Sequence, residues 1–137
     1  MIFQKEIILP KFNRGFHIIT DYINDAISSF NTNEGILNIF LKHTSASILI
    51  NENTDYTVRN DMEFFFNKIV PENQPYYTHT FEGPDDMPAH IKSSILGTNL
   101  SIPISKNKLN LGTWQGVYLC EHRNKPNNRK LVLTLIS

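Results

Sequence analysis

Short apolar runs alternate with polar breaks along the chain, and the period of the alternation changes from place to place. Residues 2–9 are rich in Ile and Phe and alternate loosely, which predicts an opening strand stopped by Pro10. Gly15 marks a turn, and residues 16–19 read as a short second strand. The period then shifts to three and four. Ile23, Ala26, Ile27 and Phe30 share a helical face, capped by Thr20 or Asp21 and ended by Asn33-Glu34-Gly35. Residues 36–41 return to a strand, with Leu37, Ile39 and Leu41 on one face. A small polar run, His43-Thr44-Ser45-Ala46-Ser47, precedes the strand-like Ile48-Leu49-Ile50, which Asn51-Glu52-Asn53 interrupts. A second helix, capped near Thr54 or Asp55, carries Val58, Met62, Phe65 or Phe66, and Ile69. A third covers residues 86–96 and ends at Gly97, a left-handed cap. Leu100, Ile102 and Ile104 alternate strictly, Lys106-Asn107-Lys108 makes a turn, and residues 111–121 and 130–136 predict two more strands. Three helices among strands that can pair as antiparallel hairpins argue for an α+β fold.

Composition narrows the classes. A length of 137 residues is the size of one domain, here 1–137. Thirteen basic and thirteen acidic residues cancel, so no global field favours nucleic acid or an anionic membrane. The densest basic patch, Arg123, Lys125, Arg129 and Lys130 around Pro126, reads as a solvated hairpin loop. One cysteine, Cys120, excludes an intrachain disulfide framework and a zinc ribbon, and its strand-like setting fits a small buried side chain. Lys5 and Glu6 stand where a signal peptide needs an apolar core, and no apolar run is long enough to span a bilayer. A cytoplasmic location is the expectation.

The candidate chemistry gathers in residues 79–90. Two imidazoles, His79 and His90, and three carboxylates, Glu82, Asp85 and Asp86, fall there among Gly83, Pro84 and Pro88. Pro84 fixes a turn, Asp85 or Asp86 can cap the third helix, and Pro88 suits its first turn. If that helix begins near Asp86, then Asp86 and His90 project from one face, with His79 free to point back at them. With His43, at the junction after the strand of residues 36–41, three histidines sit where elements meet loops beside small or acidic residues. Three neutral imidazoles suit a divalent metal, zinc before magnesium, and Glu82, Asp86 and Glu121 could orient them from behind. The alternative is that some of these histidines complete buried hydrogen bonds.

Thr44 and Ser45 follow His43 without a nucleophile-elbow glycine pattern, so hydroxyl hydrogen bonding is their expected role. No phosphate-cradling or dinucleotide glycine motif occurs. Glu52 lies too early to cap the second helix and is expected to face a cleft or a subunit neighbour. In Gly112-Thr113-Trp114-Gln115-Gly116, Trp114 is either a flat wall for a heteroaromatic ligand, with Gln115 hydrogen bonding beside it, or a core residue at a sheet bend.

Taken together, His43-Thr-Ser-Ala-Ser47, Asn51-Glu52, the 79–90 stretch with Glu-Gly-Pro-Asp-Asp-Met-Pro-Ala-His, and Leu111-Gly-Thr-Trp-Gln115 resemble the YjbQ family in kind and order over nearly the whole chain. The resemblance implies a sandwich-like α+β fold and a homotrimer. It also implies an activity described as secondary thiamine-phosphate synthase, which joins hydroxymethylpyrimidine diphosphate to thiazole phosphate and releases pyrophosphate. By the same resemblance His43, His79 and His90, with Glu52, Glu82, Asp86, Trp114 and Gln115, are the residues expected to matter, toward a small-molecule substrate. Imidazole ligands fit pyrophosphate chemistry less well than carboxylates with magnesium do, so metal-assisted hydrolysis of a small substrate is the competing expectation. A small-ligand-binding trimer without dedicated catalysis is a further alternative.

Overall fold

A computed structural model describes residues 1–125 and 127–137, which leaves Pro126 outside the described residues. Among the described residues, eight strands and three α-helices follow one another along the chain. They are β1 (Ile2–Ile8), β2 (Gly15–Ile18), α1 (Thr20–Ile27), β3 (Glu34–Leu41), β4 (Ala46–Glu52), α2 (Tyr56–Ile69), α3 (Asp86–Leu96), β5 (Asn99–Ser105), β6 (Lys108–Leu109), β7 (Gln115–Glu121) and β8 (Lys130–Ile136). The strands form two sheets, a five-stranded one ordered β1-β8-β3-β5-β6 and a three-stranded one ordered β2-β7-β4. Every ladder among the described residues is antiparallel.

The two sheets face each other across the main core. Leu37, Ile39 and Leu41 of β3, Ile102 and Ile104 of β5, and Leu131, Leu133 and Leu135 of β8 meet Ile48 of β4 and Val117 and Leu119 of β7. Ile23 and Ile27 of α1 are fully buried in the same cluster. Each such aliphatic side chain contributes roughly 1.5–3 kcal/mol by leaving water. On the other side of the smaller sheet, Phe16, Tyr118 and Cys120 pack under α2 through Phe66. The period-2 residues of β7 therefore supply two cores, Val117 and Leu119 inward and Tyr118 and Cys120 outward. Burial pushes the Cys120 thiol up, so it stays protonated, in keeping with a structural residue.

Several local expectations change. The Thr20 hydroxyl lies inside α1 rather than capping it, and accepts a hydrogen bond from Val117 N at 2.9 Å. Ser28–Phe30 continue α1 as one turn of 3-10 helix. The strand expected over 111–121 begins only at Gln115, because Gly112 and Gln115 close a turn (Gln115 N to Gly112 O, 3.0 Å) that leaves Trp114 64% exposed. Trp114 is thus neither in a strand nor in the core. Lys106 and Asn107 take the left-handed conformation of a tight hairpin turn between β5 and β6. No helix among the described residues is long and apolar enough to cross a membrane.

One seam places the site. At the end of α3, Gly97 O accepts from Ile48 N at 3.0 Å and Thr98 O accepts from Leu41 N at 2.8 Å. Gly97, at φ 97°, makes the turn that lets the chain stitch β3 to β4 here. The C-terminal end of α3 is thereby fixed between the two sheets, with its N-terminal end over the 79–86 loop.

Candidate functional site

Residues 79–86 reach α3 through two turns, Gly83 N to Thr80 O and Asp86 N to Gly83 O. Gly83 has φ 108°, and a Cβ there would stand 3.1 Å from Asp85 Oδ1. Asp86 opens α3 and His90 follows one turn later on the same face. The loop brings His79 back over them. His79 Nε2 lies 2.6 Å and His90 Nε2 3.2 Å from the same atom, Asp86 Oδ2. The two imidazoles sit edge to face with ring centroids 5.2 Å apart. Asp86 is 2% exposed at its side chain, against 49% for His79 and 30% for His90, so the carboxylate forms the floor and the rings the rim.

His90 is oriented from behind. Its Nδ1 lies 2.8 Å from the Thr44 carbonyl, which can only accept, so Nδ1 carries the proton and Nε2 faces Asp86. Asp86 is oriented too: its Oδ1 accepts from Arg123 Nη1 at 2.6 Å. Arg123 also donates from Nε to Asp85 Oδ2 at 2.9 Å and from Nη2 to the Glu82 carbonyl at 3.0 Å. Burial pushes Asp85 up, but the Asn124 N–H and the Arg123 guanidinium outweigh it and hold its carboxyl below the ordinary value. Occupied in this way, Asp85 does not cap α3. One guanidinium thus locks the whole 82–86 turn to the end of β7.

Two atoms of imidazole and one of carboxylate converging within 4.8 Å form the metal-grade group His79, Asp86 and His90. Its donor set fits a divalent first-row ion: two neutral nitrogens and one anionic oxygen, with the carboxylate fixed from its far side. It differs from the expected trio, because His43 is elsewhere. His43 Nε2 accepts from Lys130 N at 2.8 Å, and burial, then the Arg129 charge, lower its pKa and favour the neutral ring. His43 still borders the site: a cavity of about 550 Å³ is lined by Lys42, His43, Thr44, His90, Ser94 and Thr98. On the opposite side, His79 borders a hollow of about 280 Å³ with Tyr76, Tyr77, Met87 and Ile91.

The other candidates are placed as follows. The Glu82 carboxylate is 61% exposed, 3.7 Å from Arg123. Ser45 Oγ accepts from Arg129 Nη1 at 3.1 Å. Glu121 is fully buried and paired with Arg129 (Nε to Oε1, 2.8 Å), so it does not support the histidines. Arg123 and Arg129 accordingly leave the basic patch expected as a solvated loop: both are spent on carboxylates, and Arg129 is 3% exposed. Glu52 neither faces a cleft nor caps α2 itself, but holds the turn that leads into it. Its Oε2 accepts from Thr54 N at 2.9 Å and Asp55 N at 2.8 Å, ahead of Asp55, whose carboxylate caps α2 through Thr57 N. Gln115 Oε1 accepts from Gly112 N at 2.8 Å. Glu52 pairs with Gln115 at one end of the β4–β7 ladder and Ala46 with Glu121 at the other, so Trp114, Gln115 and Glu52 stand at the far end of a ladder roughly 20 Å long from the end that leads into Thr44 and Arg123 beside the histidine pair.

Read as solvated, Arg123 is in fact part of the site, and His122 and Lys92 carried no expected role. His122 is 1% exposed, 2.8 Å from Ser47 Oγ, and burial lowers its pKa to about 3. Lys92 is 1% exposed, donates to Asn67 Oδ1 at 2.6 Å, and is lowered by burial. The one available signal was Glu121-His122-Arg123, charges directly after an apolar strand, facing an acidic turn.

The fold and the motif order find matching relatives. A solved structure of a conserved hypothetical protein from Thermus thermophilus superposes with TM-score 0.86 at 30% identity, covering 96% of this chain and 99% of that one. A YjbQ/UPF0047 family protein from Clostridium acetobutylicum gives 0.80 at 32% identity, covering 98% and 99%. UPF0047 protein YjbQ is 52% identical in Salmonella typhimurium and 48% in Escherichia coli O157:H7, each over 98% of both chains. The family model described as UPF0047 protein YjbQ-like matches residues 5–137, and the chain belongs to that family.

Proposed function

We propose that this protein is a small metal-dependent enzyme that holds a divalent ion, zinc before magnesium, between His79, Asp86 and His90. The observation that carries the reading is the shared oxygen: Asp86 Oδ2 faces two imidazole nitrogens, one of which has its proton committed elsewhere in the ring. His79 can donate to that oxygen as a neutral ring, but His90 Nε2 faces it with no proton of its own, so the contact calls for either a second proton on His90 or one cation among the three atoms. A bound ion would supply Lewis-acid polarisation of a substrate oxygen. The chain's own residues do the rest. Thr44 and Arg123 orient the ligands, and the cavity beside His90 seats a small substrate against His43, Thr44 and Lys42. Glu82, whose carboxylate is exposed on the same turn, would be the group to move a proton, and Ser45 holds Arg129 behind the His43 loop.

The reaction implied by family resemblance, thiamine-phosphate synthesis in the cytoplasm by a homotrimer, is the first to assay, with hydrolysis of a small substrate second. Glu52, Trp114 and Gln115 can serve this site only from a neighbouring subunit, given their place at the far end of β4 and β7. The test is metal content of protein purified without added metal, with zinc titrated against a competing chelator. His79→Ala, His90→Ala and Asp86→Asn are each expected to weaken zinc by more than the roughly 10–100-fold that losing an orienting residue costs. His43→Ala should leave zinc affinity unchanged. Protein that refuses zinc, or wild-type zinc affinity in all three variants, ends the reading. Stabilisation by thiamine precursors without turnover or metal dependence makes the protein a ligand-binding module instead.

A further inference from the structure

Residues 70–85, the connection from α2 to α3, are irregular chain, yet they deliver His79 to within 2.6 Å of a carboxylate on α3. His79 is the most exposed of the three converging side chains, so its own packing does little to hold it. The loop holds it instead, and arginine grips that loop near both ends. Arg123 takes the far end, at the Glu82 carbonyl and the Asp85 carboxylate. Arg14, immediately before β2, takes the near end: its Nη1 donates to Glu72 Oε1 at 3.0 Å. Asn124 joins the two grips. Its side-chain Oδ1 accepts from Arg14 Nη1 at 2.8 Å, and its backbone N–H donates to Asp85 Oδ2 at 2.9 Å.

We infer that Arg14 is a positioning residue for His79, acting from outside the metal-grade group through Glu72 and Asn124. The guanidinium suits that task by shape. Its Nε also donates to Glu63 Oε1 at 3.1 Å and its Nη2 to Asn67 Oδ1 at 2.6 Å. Four of its five N–H groups are thus spent on α2, on the loop and on the chain just beyond β7. A lysine, with its donors at one point, cannot span those acceptors. Losing Arg14 frees the loop and not the helix, because α3 keeps its own tie to α2: Lys92 Nζ also donates to Asn67 Oδ1, at 2.6 Å. Asp86 and His90 ride on that helix, so His79 is the ligand that Arg14 controls. The inference rests on the metal reading for its zinc measurement and on the loop alone for the other.

Two measurements on the full chain test it: zinc affinity against a competing chelator, and amide hydrogen exchange of the metal-free protein. Arg14→Gln is made both in the wild type and in His79→Ala. In the wild type it should weaken zinc about three- to tenfold, less than the roughly 10–100-fold of a partner that touches a ligand. In His79→Ala the same substitution should change zinc affinity by less than about twofold, because the ligand it positions is gone. Without metal, the hydrogen-bonded loop amides of Tyr77 and Gly83 should exchange at least several-fold faster in Arg14→Gln, while β3 and β8 keep wild-type rates. A role in overall stability would speed exchange everywhere and weaken zinc equally in both backgrounds, and either result overturns the inference. Zinc refused by the wild type ends the metal reading and leaves exchange to decide: unchanged rates at Tyr77 and Gly83 overturn the positioning role. Should Arg14→Gln fail to fold, Asn124→Ala cuts the link to Arg14 while keeping the backbone N–H on Asp85, and the same two readings decide.

Discussion

Arg123 holds together what the sequence scattered. Its guanidinium is 18% exposed and reaches Asp85, Asp86 and a backbone carbonyl at once, so three acceptors depend on one side chain. Arg123→Gln leaves Asp86, 2% exposed, without its counter-charge, and such a loss typically costs about 3–5 kcal/mol. Urea unfolding of the metal-free variant should show that loss, and zinc affinity should fall by about 10–100-fold because the ligand is no longer held from behind. Full stability in Arg123→Gln would mean that the carboxylates find other partners. Residue by residue, the sequence made His79, Asp86 and His90 legible, since a proline turn and an i, i+4 spacing are local rules. His43 looked equivalent by its surroundings, but a backbone N–H from β8, supplied 87 residues later, occupies its Nε2. Arg123 was illegible for the same reason: an arginine in a basic run reads as solvated until the fold shows which carboxylates it faces.

Elements fix the spacing of these residues, chiefly at helix ends. The N-terminus of α2 is closed by two carboxylates in series, Glu52 on the two amides before the helix and Asp55 on the first turn. Losing the hydrogen bonds of the turn before the helix costs on the order of 1 kcal/mol, so Glu52→Ala should lower the melting temperature modestly and leave zinc affinity alone. An unchanged melt with weakened zinc would instead put Glu52 in the site. At the other end of α3, Gly97 holds φ 97° while its carbonyl and its neighbour's stitch β4 and β3. Gly97→Ala puts a side chain in a conformation that only glycine takes freely, at a cost of 1 kcal/mol or somewhat more. It should also disturb the cavity by His90, which Gly97 lines, and so reduce small-molecule stabilisation more than metal binding. Helices α2 and α3 were readable from caps and prolines. The missed boundary was at Gln115, where Gly112, compatible with a strand bulge, in fact closes a turn and only Gly116 lies in β7.

For the whole molecule, two sheets and a second helical layer bury charge as well as hydrocarbon. His122 lies between the smaller sheet and α3, with Arg14, Lys92 and Arg129 raising the positive potential around it. Its folded pKa of about 3 is depressed, whereas an unfolded chain takes up that proton near pH 6.5. The unfolded state therefore binds more protons as pH falls through this window, and stability declines by about 1.4 kcal/mol per pH unit. Asp85, also depressed, adds to the loss at lower pH. His122→Gln should flatten the stability profile between about pH 6 and 4, measured by denaturant unfolding, while the wild type slopes. The α+β class and strand order of polarity were legible because period-2 and period-3.6 patterns are local. Which face of each sheet meets another layer was not, since β7 is apolar on both sides and β3 exposes Ile36 and Phe40 to water. The turn at Gly112 finally gives the protein an optical handle. Its sole indole, Trp114, stands in solvent at the opposite end of β7 from the histidines, too distant to sense zinc arriving in its own chain. A shift of its emission colour on adding zinc, with the fold unchanged, is the signal expected where a neighbouring subunit brings its histidine pair beside the indole.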